Sequence, residues 1–122
     1  MATYTKEKLS ASTDGRGVLV GTTASIGSGT TIHTGSSNSS IKEEVWIYAQ
    51  NTSSTSTKLT LGFGGSTDPN DLIELTITGE SGLTLVVPGL TLLGNASGAP
   101  VVRANAATAN VIVIHGYVNK IA

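Results

Sequence analysis

At 122 residues, with seven Lys plus Arg against eight Asp plus Glu, the chain has the size of one domain and a formal net charge of −1. It lacks the basic excess by which nucleic-acid binders displace counterions from phosphates. The absence of cysteine excludes a disulfide framework, a thiolate zinc site and a cysteine nucleophile.

Charged residues are only 12% of the chain, so neighbouring copies would repel one another weakly, which suits a protein that packs into an assembly. Residues 1–16 are polar, mixed in charge and without the apolar core of a signal peptide. They predict an amino-terminal arm, either frayed or ordered against a neighbour, ahead of one domain at 17–122. Gly17 to Gly21 and Thr30 to Thr34 predict short strands separated by Gly27-Ser28-Gly29, and residues 35–40 predict a flexible loop. The pair Glu43-Glu44 precedes a strand, so its carboxylates are expected on opposite faces.

Val45-Trp46-Ile47-Tyr48-Ala49 is apolar on both faces, as is Val111-Ile112-Val113-Ile114-His115. A strand of that kind is covered on both sides, by core on one and by a partner or a long loop on the other. Residues 51–57 read as a hairpin loop. In Lys58 to Phe63, Leu59, Leu61 and Phe63 share one face; Ile73, Leu75 and Ile77 then alternate with Glu74, Thr76 and Thr78. Asp68-Pro69-Asn70-Asp71 is a turn signal between these two strands. Leu83, Leu85 and Val87 continue the period of two, and Pro88-Gly89 marks a break. The apolar stretch from Leu83 to Leu93 is far short of the ~20 residues that cross a bilayer as a helix. No membrane segment is therefore expected. With a further break at residues 94–100, the pattern predicts an all-β domain of about eight antiparallel strands and little or no helix, a β-sandwich or jelly-roll-like fold.

Chemistry is thinly represented. Gly-x-Ser-x-Gly is missing, and His33 and His115 each fall inside a predicted strand, so no catalytic residue is assigned and no enzyme is expected. The two histidines could meet in space and Asp68 and Asp71 could share a loop, but neither pair makes a full ligand set; no metal and no cofactor are expected. Gly62-Phe63-Gly64-Gly65 leads into no helix and so makes no phosphate cradle. Asn38, Asn51 and Asn95 begin Asn-x-Ser/Thr matches at about the frequency that chance gives. Trp46 and Tyr48 share one face of an apolar strand, where packing is a better account than sugar stacking.

Glu44-Val45-Trp46-Ile47-Tyr48-Ala49, Lys58 to Gly65, Leu85-Val86-Val87-Pro88-Gly89-Leu90 and Ala109 to Tyr117 together resemble the small β-rich virion proteins of tailed bacteriophages, a class that includes head decoration (cement) proteins. The resemblance implies a jelly-roll-like sandwich, often trimeric, assembled in the host cytoplasm and placed on the outer capsid surface. There it would bind and stabilise the major capsid protein lattice, with no nucleic-acid or membrane partner. On this reading Trp46, Tyr48, His115 and Tyr117 are candidates for contact between subunits, and Tyr4, Lys6, Lys8 and Arg16 for contact with the capsid. A neck, tail or head-completion component and a glycan- or receptor-binding sandwich are the alternatives.

Overall fold

The structure, a computed structural model, describes residues 2–122. Its strands are β1 (Tyr4–Lys8), β2 (Val18–Leu19), β3 (Thr30–Thr34), β4 (Lys42–Asn51), β5 (Thr57–Phe63), β6 (Leu72–Ile77), β7 (Thr84–Leu93), β8 (Val101–Ala106) and β9 (Ile112–Ile121). One 3-10 turn at Ile26–Ser28 is the sole helical element among the described residues, so no helix there is long and apolar enough to cross a membrane.

The strands form two antiparallel sheets. One runs β1-β9-β4-β7, with β2 also pairing with β9; the other runs β3-β8-β5-β6. With β1 and β2 counted as one interrupted first strand, the first pairs with the eighth, the second with the seventh, the third with the sixth and the fourth with the fifth. That is the winding of a jelly roll. The predicted all-β sandwich is the observed architecture.

Period-two patterning explains the core. Val45, Ile47 and Ala49 of β4, Leu59 and Leu61 of β5, Val102, Ala104 and Ala106 of β8, and Ile112, Ile114 and Val118 of β9 all point between the sheets and are buried. Each buried Val, Leu or Ile side chain contributes about 1.5–3 kcal/mol relative to exposure, which is what holds the layers together.

Four segments depart from the sequence expectation. The predicted arm is built into the sandwich: β1 pairs with β9 from Tyr4↔Ile121 to Lys8↔Tyr117, and Leu9 enters the core. Its exposed polar side chains hide a strand that is held by its backbone. β8 carries no strong apolar alternation because two of its inward residues are alanines, Ala104 and Ala106. Residues 51–57 join β4 in one sheet to β5 in the other, so they bridge the layers instead of closing a hairpin. Pro88-Gly89 does not end its strand. β7 lies at a sheet edge, where a missing N–H is tolerated, and its register with β4 shifts at Val45/Trp46 and Ile47/Tyr48 to absorb the kink.

Candidate functional site

Residues directly opposed in an antiparallel pair share a face. Across β4 and β9, Trp46 faces Tyr117, Tyr48 faces His115 and Glu44 faces Asn119, all on the side away from the core. From β7, Leu85 lies opposite Tyr48 and Pro88 opposite Trp46. From β1, Tyr4, Lys6 and Lys8 lie opposite Ile121, Asn119 and Tyr117. Arg16 joins Thr13, Gly17, Gln50, Val113 and His115 around a shallow depression of about 450 Å³ at one end of this face. All the contact candidates named from the sequence therefore gather on the outer face of the five-stranded sheet. The division between subunit contacts and capsid contacts is not visible in their placement.

The centre of the face is a rigid chain of interactions. The Trp46 and Tyr117 rings stack with centroids 6.3 Å apart and planes 14° from parallel. Lys6 Nζ stands 4.7 Å from the Tyr117 ring centroid, within cation–π range. Trp46 Nε1–H donates to Glu44 Oε1 at 2.7 Å, and Asn119 Nδ2–H donates to the same oxygen at 3.0 Å. These two bonds, the Trp46 donor first, hold the Glu44 carboxyl below its ordinary pKa.

Two glycines make room for the indole. Gly89, at φ 78°, would place a Cβ 2.8 Å from Trp46 Cζ2, so only a bare Cα lets the ring sit there. Gly116 lies under the β4 backbone, and a Cβ on it would run into the Trp46 carbonyl oxygen. The result is a flat aromatic platform with a fixed anion and a cation at its edges. Aromatic side chains supply large contact area at little conformational cost, which suits docking onto another surface. The loop expectation for the two-faced strands is met only in part: Gly17 packs against Val113 and His115, while Trp46, Tyr48 and Tyr117 remain half-open.

A second polar site lies at the end of the sandwich, where Glu7, Ser10, His33, Ser36, Glu43 and Lys120 line a depression of about 690 Å³. The Ser10 backbone N–H donates to His33 Nδ1 at 3.0 Å, which leaves the ring proton on Nε2, 3.1 Å from Glu43 Oε1. Both ring nitrogens are engaged, so His33 has no lone pair with which to take a serine proton. This buried pair instead ties the amino-terminal segment to β3, helped by Thr34 N–H donating to Ser10 Oγ at 2.6 Å.

His33 faces the core side of one sheet and His115 the outer face of the other, so the two imidazoles do not meet. Asp71 Oδ2 accepts from Thr67 N–H at 2.9 Å and braces its own loop. Among the described residues no group of three or more His, Cys, Asp or Glu is placed to hold a metal. Asn51 is buried, with Nδ2 donating to Thr55 O at 2.8 Å and Ile77 O at 3.1 Å. Glu43 and Glu44 do point to opposite faces, as alternation requires. Sequence reasoning missed Glu44, Asn119, Gly89 and Gly116; the period of two places Glu44 beside Trp46, but a cross-strand partner such as Asn119 needs the register. Comparison of the chain with family models, characterised proteins and solved structures returns no match.

Proposed function

We propose that this chain is a structural docking protein that decorates the head of a tailed bacteriophage, binding the major capsid lattice through the outer face of its five-stranded sheet. The observation that carries the reading is the gathering of Trp46, Tyr48, Tyr117, Lys6 and Glu44 into one preorganised, half-open platform. Preorganised aromatic anchors bind without a large ordering penalty. A protein repeated over a lattice then turns modest single contacts into strong attachment. The virion resemblance of the sequence supplies the partner; the platform supplies the means.

The test is first to look for a major capsid gene in the genome that encodes the chain, whose absence overturns the assignment, and then to co-sediment the purified chain with expanded heads assembled from that gene's product. Saturation at stoichiometric copy number, lost on Trp46→Ala, supports the assignment. No binding, or binding at only a handful of copies per particle, overturns it. The stacked rings also favour one alternative, a glycan-binding module: saccharides that protect Trp46 fluorescence, with no binding to heads, would replace the decoration reading.

A further inference from the structure

We infer that the free edge of β7 joins this chain to a second copy of itself. The inference draws on a sheet edge, separate from the aromatic platform, and stands whether or not that platform meets a capsid.

Every open sheet has two edges whose unpaired backbone groups can template another strand, and proteins block them with charge, cover or distortion. Three edges here are blocked. The β1 edge carries Lys6, Glu7 and Lys8, and the strand beside it, β2, is only two residues long. β3 is covered by the amino-terminal segment, whose Ala11 N–H donates to Ile32 O at 3.2 Å. β6 is short and carries Glu74, with Asp71 just before it.

β7 is different. No Asp, Glu, Lys, Arg or His occurs between Glu80 and Arg103. Pro88 and the register shifts distort its first half, but Leu90 to Leu93 pair regularly with Val45 to Lys42 and leave an undistorted outer edge. Four of the six exposed large apolar side chains lie on this strand or next to it: Leu83, Leu85, Leu90 (43% exposed) and Leu93 (56% exposed).

The charge pattern selects the occupant. In a two-fold pairing a strand meets its own copy, so a central charge meets its like. Glu74 of β6 and Lys6 of β1 would do so; the Leu90–Leu93 edge would bring together only leucine and threonine. Two copies joined there extend the five-stranded sheet across a two-fold axis, an isologous pair where the virion resemblance implies a trimer.

Sedimentation velocity on the full chain over a range of concentrations tests this. The expected result is a concentration-dependent dimer, weakened about tenfold or more by Leu90→Asp with Leu93→Asp, which sets like charges against each other. Leu19→Asp, at an exposed leucine away from β7, should leave the dimer intact. A wild-type chain monomeric throughout overturns the inference, as does a dimer that survives the double substitution or is abolished by Trp46→Ala instead. Should the double variant fail to fold, amide exchange on the wild type decides: protection at Leu90–Leu93 must rise with protein concentration, and flat protection overturns the proposal.

Discussion

The two sheets share one winding and one core, yet the outer face of one is mostly polar while that of the other carries aromatic and aliphatic residues among its polar ones. Away from the core, the four-stranded sheet shows Lys58, Thr60, Glu74, Thr76, Arg103 and Asn105, with Lys58 Nζ 2.7 Å from Glu74 Oε2 in an exposed ion pair. The five-stranded sheet shows Trp46, Tyr48, Tyr117, Leu85, Pro88 and Val113 in the corresponding positions. Strand geometry makes no distinction between these faces; the alternate residue does. Mostly polar outward positions make a face suited to water, and aromatic or branched residues there leave an apolar surface open to contact.

The sharpest way to break the comparison is to disturb the backbone beneath the platform. Gly116→Ala must push β9 away from the Trp46 carbonyl, and it should cost about 3 kcal/mol of stability in urea denaturation. Gly98→Ala, at a glycine with open space around its Cα, is the control and should change stability little. Equal effects at the two positions would mean that β9 and β4 are not so closely apposed.

Next in size is the buried pair at the sandwich end. His33→Ala leaves the Ser10 N–H and the Glu43 carboxylate without their partner, and each loss carries a desolvation penalty. A destabilisation of about 2–3 kcal/mol is expected, with faster amide exchange at Ser10 and Thr34. Exchange unchanged at both amides would show that the imidazole does not clasp the amino-terminal segment.

These residues also mark what the sequence could and could not convey. Period two alone located the core of β5 and β6, and the two-faced composition of residues 45–49 and 111–115 singled out the strands that prove adjacent at the centre of one sheet. That signal is local, so it survives without coordinates. The pairing of Glu44 with Asn119, the seat that Gly89 gives Trp46 and the clasp between Ser10 and His33 depend on which strands become neighbours. In a jelly roll those neighbours are distant in sequence, and neither spacing nor composition encodes them. β1 was hidden for a related reason: as an edge strand it has no apolar face, and Leu9, just beyond it, is the first side chain of its segment to enter the core.

A paired substitution sharpens the contrast between the faces themselves. Trp46→Ala removes a half-buried ring and its stack on Tyr117, and should lower stability by about 1 kcal/mol. Thr60→Ala on the other sheet should stay within about 0.5 kcal/mol of the wild type. The larger difference is expected in heads bound, where only the first substitution should matter. Matching losses of head binding would mean that both faces dock, and the asymmetry would lose its functional meaning.

The smallest effect is electrostatic, and each sheet supplies its own reporter. Glu44 and Glu74 both titrate below the ordinary carboxylate value of 4.5, the first through Trp46 and Asn119, the second through Lys58. A carboxyl whose folded pKa is depressed stabilises the fold above its unfolded pKa, and that contribution disappears as pH falls through the folded pKa. Only Glu44 touches the single tryptophan, so acid titration followed by indole fluorescence isolates one face. A transition is expected with its midpoint below 4.5, abolished by Glu44→Gln and untouched by Glu74→Gln. A midpoint at or above that value would mean that the Trp46–Glu44 bond is too weak in solution to fix the indole, and the platform would then have to be ordered by its partner.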